Sequence, residues 1–317
     1  MIDQSRPRPF RFGAGARTAR TGPEWRVKAQ RAESLGYSTL HIPDHFADGR
    51  PDRLGPFAAM AFAAAVTDRL RIGSLVFNND VRHPVLLAQE AATIDLLSGG
   101  RLELGMGCGW LKAEYDRAGI SFEPGAARVA RLEEAIKAVK SLWSDSPAAL
   151  NGRSYSIKDL DVQPKPLQRP HPPILIGGGG RKLLSLAGRE ADIVGIGARA
   201  LPQGGLDPGT LSAKSADEQV AWIRSAAGSR FDQVELHLYV QYFEITDNKQ
   251  ARAEALASEF ELPPEVILTS PHVLMGTIDD ICLDLIAARR RWGLSYFTVQ
   301  ETAVEAFAPI VERLAGF

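Results

Sequence analysis

The chain has 317 residues, 45% of them hydrophobic, and its 37 basic and 38 acidic side chains nearly cancel. That balance argues against a nucleic-acid or polybasic membrane surface as the main business of the protein, and no apolar run approaches a membrane span. Only two cysteines occur, Cys108 and Cys282, far apart and without metal-ligand spacing, so no disulfide framework or bound metal is expected and a reducing cytoplasm suits the composition.

From the amino terminus, residues 1–11 are polar and basic and carry no apolar signal-peptide core. Short apolar or β-branched strands then alternate with amphipathic helices to the end of the chain. Strands are expected at 10–13, 39–42, 71–77, 102–106, 173–176, 193–196, 235–245 and 295–300. Helices are expected at 24–35, 57–67, 85–97, 126–142, 182–187, 216–226, 250–259, 278–292 and 303–314. Eight strands, each followed by a helix, give the (β/α)8 TIM-barrel count, in one domain over residues 1–317 with insertions at the C-terminal mouth. An open doubly wound sheet is the alternative. Two stretches break the rhythm. Residues 148–169 contain Asn151-Gly152 and read as a hairpin-like excursion, and the Gly-, Pro- and Ser-rich stretch 199–215 reads as a long loop of the kind that closes over a site.

Motifs cluster at the strand ends. Strand two runs into Asp44-His45-Phe46, which puts His45 at the barrel mouth, able to donate a hydrogen bond or move a proton; a turn bond from Asp44 and an ordinary loop histidine is the bland reading. Strand three runs into Asn78 and Asn79, which point at the mouth or make a turn. Arg82 and His83 then offer an anion site or a plain first turn, with Pro84 opening the helix. Strand four ends in Gly105, Gly107 and Gly109, bare at every second position, followed by Trp110. Such spacing serves positive φ angles or a flat group lying on the peptide planes. A dinucleotide fingerprint fits poorly, because Trp110 takes the place of the sixth-position glycine and the downstream stretch is helical. Gly177, Gly178, Gly179 and Gly180 follow an apolar strand and precede Arg181 and Lys182, which makes a phosphate cradle at a helix start; the alternative is a flexible turn. Gln300 and Glu301 are mouth candidates by position alone, and Arg289–Arg291 reads as a solvated helix end.

Together these pieces resemble the luciferase-like monooxygenase family of flavin- and deazaflavin-dependent barrels. The resemblance rests on Asp44-His45-Phe46, the segments 71–77, 82–89 and 95–101, Gly105–Trp110 with Glu114-Tyr115, and 173–180. It is nearest the branch using coenzyme F420. It implies a cofactor ring at the mouth, on a strand-three bulge with a non-prolyl cis peptide near Ser74-Leu75. Asp44, Ser74, Leu75, Asn78, Gly107, Gly109 and Trp110 would stand around the ring, with the tail phosphate at Gly177–Gly180 and Arg181. His45 would be the catalytic group, a proton donor or ring polariser. Sugar-phosphate dehydrogenases of that branch carry a glutamate where this chain has Trp110, so their activity is not implied. The resemblance implies hydride transfer between F420 and a small organic substrate, reducing an activated C=C or C=N bond. FMN with a partner flavin reductase is the alternative, and a non-catalytic flavin-binding barrel the third reading. A homodimer through helices near strands two and three is expected, and the Ala- and Phe-rich helix 57–66 suits such a face.

Overall fold

The computed structural model describes residues 8–49 and 51–317. Residues 1–7, most of the stretch in which no leader is expected, lie outside them. Eight parallel strands close into a barrel: β1 Arg11–Gly15, β2 Thr39–Ile42, β3 Arg71–Ser74, β4 Leu102–Gly107, β5 Ile174–Gly178, β6 Ile193–Ile196, β7 Glu235–Tyr239 and β8 Leu294–Val299. The ring closes where Ile72 and Gly73 of β3 pair with Leu102 and Glu103 of β4. Each of these strands is buried along most of its length, as strands covered by helices on one side and a packed interior on the other must be. This is the (β/α)8 barrel expected from the strand count.

Helices α1 Gly22–Ser34, α2 Pro56–Ala65 and α3 Pro84–Leu97 follow the first three strands. After β4 come a short α4 Lys112–Ala118 and the long α5 Gly125–Trp143. The excursion before β5 is an antiparallel ribbon, Ala148–Asn151 against Ser156–Leu160. Then α6 Arg181–Glu190, α7 Ala213–Ala227, α8 Lys249–Phe260, α9 Pro264–Thr269, α10 Ile278–Trp292 and α11 Val304–Leu314 complete the chain. Helix starts carry their expected chemistry. Thr277 and Asp280 make a reciprocal capping box on α10, and the His83 ring accepts from the Val85 N–H ahead of Pro84 in α3.

Three expectations are corrected. The predicted strand 235–245 is two strands. β7 ends at Tyr239, and Tyr242–Ile245 swings out to pair in parallel with Val273–Gly276, a strand the pattern analysis missed. Apolar residues run on through Val240, Tyr242 and Phe243 although the backbone changes partner: Val240 N–H bonds Thr298 and Gln241 N–H bonds His272. The predicted strand 71–77 is interrupted after Ser74 by a cis peptide between Leu75 and Val76, and resumes as Phe77–Asn78 against Met106 and Gly107 of β4. The stretch 199–215 is partly ordered by a small ribbon, Arg199–Ala200 against Leu206–Asp207, and a 3-10 turn Pro208–Leu211. Among the described residues no helix is long and apolar enough to cross a membrane, and no cluster of His, Cys, Asp or Glu could hold a metal ion.

Candidate active site

The C-terminal ends of β2, β3 and β4 meet around the Leu75–Val76 step. Leu75 and Val76 pack down on Leu175, Ile193 and Tyr296 in the barrel interior. The Ser74 hydroxyl is held by both main-chain groups of Gly105, donating to its carbonyl and accepting from its N–H at 2.9 Å each. The alternate glycines of β4 exist for this bulge. A Cβ on Gly105 would lie 1.9 Å from the Ser74 carbonyl oxygen, and one on Gly107 would lie 2.5 Å from a Val76 methyl. Gly109 combines φ +67° with a Tyr115 hydroxyl 1.9 Å from its missing Cβ. The run therefore clears space for neighbouring protein: at Gly105, Gly107 and Gly109 a side chain would strike the bulge or Tyr115.

Asp44, also expected at the cofactor, has both oxygens engaged. Oδ1 takes Arg82 Nη2 at 2.6 Å, while Oδ2 takes Arg82 Nε at 3.1 Å and the Asn78 N–H at 3.0 Å. The Arg82 guanidinium lies over the Phe57 and Phe77 rings, so Asp44 and Arg82 bolt the end of β2 to the chain leaving β3. Asn78 makes the turn: its Oδ1 accepts from the Asp80 N–H and the Tyr115 hydroxyl, which also reaches Asp80. Burial pushes the Tyr115 phenol up, keeping it a donor.

His45 is different. Its Nδ1 sits 3.0 Å from Glu114 Oε2. The other carboxylate oxygen of Glu114 accepts the N–H groups of Phe46 and Ala47 at 2.8 and 2.9 Å. Glu114 is buried at the start of α4, whereas the His45 side chain keeps 22% of its surface open. Nδ1 thus carries a proton toward Glu114, and Nε2 is the nitrogen left for a ligand. Trp110 meets the imidazole edge-on, with centroids 5.6 Å apart. The turn holding Trp110 is clamped by buried Arg128, which donates to the carbonyls of Cys108, Gly109 and Glu123. Burial pushes the Cys108 thiol up, so it is packing rather than a nucleophile. A cavity of about 410 Å³ opens beside His45, lined by Phe46, Leu54, Pro56, Arg82 and Ile120. A larger one of about 790 Å³ lies beyond it, past Asp80, Arg131 and Tyr155.

At the end of β5 the four glycines divide. A Cβ on Gly179 would meet the backbone of Gly197 and Ala198 at 2.3 to 2.5 Å, so protein packing demands that glycine. Gly178 is crowded only by the movable Leu183 side chain. Gly177 has ordinary clearance, and Gly180 has nothing within 4 Å. Gly180 is the N-cap of α6 and supplies no side-chain cap, so the first N–H groups of that helix are unpaired by side chains. Arg181 and Lys182 are exposed beside them. Open backbone, a helix N-terminus and two cations thus meet at this turn, the surroundings that favour an anion. Neither cavity above is lined by these glycines or by Trp110.

Sequence reasoning had Arg82 only as a candidate anion group and Glu114 only inside a motif, and it missed Arg128. The bonds Glu114–His45, Arg82–Asp44 and Arg128–Cys108 span 69, 38 and 20 residues, and no spacing rule links them. Gln300 and Glu301 hold the mouth together. Gln300 donates to the Gln241 carbonyl, and Glu301 binds the Arg17 N–H and Lys28.

A model of the luciferase-like monooxygenase family matches residues 9–264. An FMNH(2)-dependent dimethylsulfone monooxygenase of Pseudomonas putida is 35% identical over 128 residues, covering 40% of this chain and 35% of that protein. An F420-dependent glucose-6-phosphate dehydrogenase of Amycolatopsis mediterranei is 33% identical over 188 residues, covering 58% and 56%. The matches thus span between about a third and just over half of these relatives' own length. The coenzyme F420-dependent tetrahydromethanopterin reductase of Methanopyrus kandleri superposes with a TM-score of 0.76 at 18% identity, over 97% of this chain and all of that one, and shares the fold. The chain belongs to the luciferase-like monooxygenase family.

Proposed function

We propose that the protein is a coenzyme F420-dependent oxidoreductase acting on a small organic substrate. The observation that carries this reading is the His45–Glu114 pair, open at Nε2, on the same barrel end as the uncapped α6 N-terminus. The donor set fits a phosphorylated ring cofactor. The bareness of Gly177 and Gly180 has no cause in the protein's own packing, and the adjoining Arg181 and Lys182 would complement a phosphate. Ser74 and Leu75, with the rest of the bulge, would support the ring, and Trp110 would bound it beside His45.

When bound, F420 supplies a hydride. The chain's own residues do the rest. Glu114 fixes the His45 tautomer, so protonated His45 can deliver a proton from Nε2 to the group that receives the hydride, with Trp110 edge-on to the imidazole. Reduction of an activated C=C or C=N bond is the reaction this arrangement serves. The test is turnover of reduced F420 with a panel of activated alkenes and imines, followed by return of the oxidised chromophore. His45→Ala should lower kcat by about 10²- to 10⁴-fold. Oxygen consumption with reduced FMN, and no F420 turnover with any acceptor, would overturn the reading. The Pseudomonas relative favours that second reading, an FMN-dependent monooxygenase fed by a separate flavin reductase. In either case a homodimer would use the outer faces of α1 to α3, where Val27, Phe62 and Leu86 are exposed.

A further inference from the structure

Below the mouth, the barrel interior holds a polar chain that the proposed chemistry does not use. Glu103, Tyr296, His41, Thr298 and His237 are each at most 1% exposed. Glu103 Oε1 accepts from Arg11 at 2.5 Å and Arg71 at 2.7 Å, leaving Oε2, among the described residues, to a single donor, the Tyr296 hydroxyl at 3.1 Å. The Tyr296 oxygen also lies 3.2 Å from His41 Nε2. His41 Nδ1 is 2.8 Å from the Thr298 hydroxyl, and the same hydroxyl is 2.8 Å from His237 Nε2. The room for these rings is provided by glycines: a Cβ on Gly13 would lie 2.4 Å from Thr298 Oγ1, and one on Gly73 would lie 2.6 Å from His41 Cδ2.

The Thr39 hydroxyl also donates to the Tyr296 oxygen, and the direction of the Tyr296 proton then fixes the arrangement of the others. Tyr296 and Thr298 each have one hydroxyl proton, and each neutral imidazole has one N–H. A hydrogen bond to a carboxylate is about twice as strong as one between neutral groups, so Tyr296 gives its proton to Glu103. His41 must then donate from Nε2 to the Tyr296 oxygen, and its Nδ1 must accept from Thr298. With its proton spent, Thr298 accepts from His237 Nε2–H. His237 Nδ1 is left with a lone pair. That nitrogen makes no hydrogen bond to the described residues and lies against Gly195, the strand partner of Gly177.

We infer that Glu103, through Tyr296, His41 and Thr298, is a positioning residue that fixes the tautomer of His237, making its Nδ1 a permanent hydrogen-bond acceptor inside the barrel beneath the Gly177–Gly180 turn. Both histidines stay neutral because burial holds His41 down to about 4 and His237 well below its ordinary value. The inference holds whichever cofactor the mouth takes.

The experiment is two-bond proton–nitrogen correlation spectroscopy on the full chain labelled with 15N-histidine at neutral pH, with signals assigned by single-histidine substitutions. The wild-type protein should show a protonated-type Nε2 and an unprotonated-type Nδ1 for both His41 and His237. In Glu103→Gln the amide turns its NH2 to the Tyr296 oxygen, reversing every hydrogen bond in the chain, so both rings should switch to Nδ1–H. Thr298→Val keeps the shape and cuts the chain in the middle: His41 should stay Nε2–H while His237 loses its single tautomer. This second variant keeps Glu103 opposite its arginines and serves if the first does not fold. An Nδ1–H signal from either ring in the wild-type protein would overturn the inference. So would an unchanged pattern in Glu103→Gln, or an unchanged His237 in Thr298→Val.

Discussion

Gly105 and Gly180 are both bare, for opposite reasons, and substitution by alanine separates them. A Cβ at Gly105 falls 1.9 Å from the Ser74 carbonyl oxygen, 2.9 Å from its carbon and 3.0 Å from a Val76 methyl. The first of these is backbone and cannot rotate away, so the bulge or β4 must shift by about an ångström. Overpacking of this kind costs about 1–3 kcal/mol. The shift also stretches the two Ser74–Gly105 hydrogen bonds, each worth about 1 kcal/mol. Gly105→Ala should therefore lose about 3–5 kcal/mol, enough to lower Tm by roughly 5–10 °C in a chain of this size while leaving a folded protein. At Gly180 the new methyl meets nothing within 4 Å, and alanine there costs no more than about 1 kcal/mol as a poorer N-cap. Its effect should appear in cofactor affinity instead. Urea midpoints and thermal scans of both variants check this contrast. A wild-type Tm for Gly105→Ala, or an equal loss in Gly180→Ala, would refute the assignment of the first glycine to packing and the second to a ligand.

Acid should weaken the fold before any carboxylate titrates. Burial lowers His41 and His272 to about 4 and His237 further, while the unfolded chain titrates near 6.5. Stability is therefore complete above pH 6.5 and falls toward pH 4, by about 1.4 kcal/mol per pH unit for each histidine and about 4 for the three. Urea unfolding at pH 7, 6 and 5 measures the slope, and a flat profile would contradict it. Glu103, held down to about 2 against the burial that opposes it by Arg11 and Arg71, adds a second loss between about pH 4.5 and pH 2. Asp44→Asn should destabilise by about 3 kcal/mol, because it leaves the Arg82 guanidinium without its buried partner; a variant with the wild-type urea midpoint would show the pair to be idle. Glu114→Gln should lower kcat by about tenfold or more with little change in KM, because it reverses the hydrogen bond that orients His45; equal losses in kcat and affinity would point to misfolding of the turn instead.

The barrel was legible because buried parallel strands and amphipathic helices announce themselves by period, and eight strand–helix units leave few architectures. Boundaries failed where the backbone changes partner without changing pattern, as between Tyr239 and Tyr242. The strand Val273–Gly276 is four apolar residues after a proline and a histidine, too short and uniform for alternation to mark it. At the site, Gly105–Gly109 illustrates a deeper limit. A glycine bare because a neighbouring strand bulges into it looks, in sequence, the same as one bare for a ligand. The cis peptide at Leu75–Val76 followed from family resemblance; the physical signals in its sequence are weak. Asp44 entered as a cofactor contact through the family resemblance, and its bonds to Arg82, 38 residues away, were not legible from spacing. Glu114 was visible only as part of a motif, and the hydrogen bond to His45 is what gives it a role.

If the barrel mouth binds coenzyme F420 with its phosphate at the α6 N-terminus and His45 beside its ring, fluorescence titration of the purified chain with F420 and, separately, with FMN reads it. Saturable F420 binding that Gly180→Ala weakens is expected, with FMN binding much more weakly. Tight FMN binding with no affinity for F420 would contradict it.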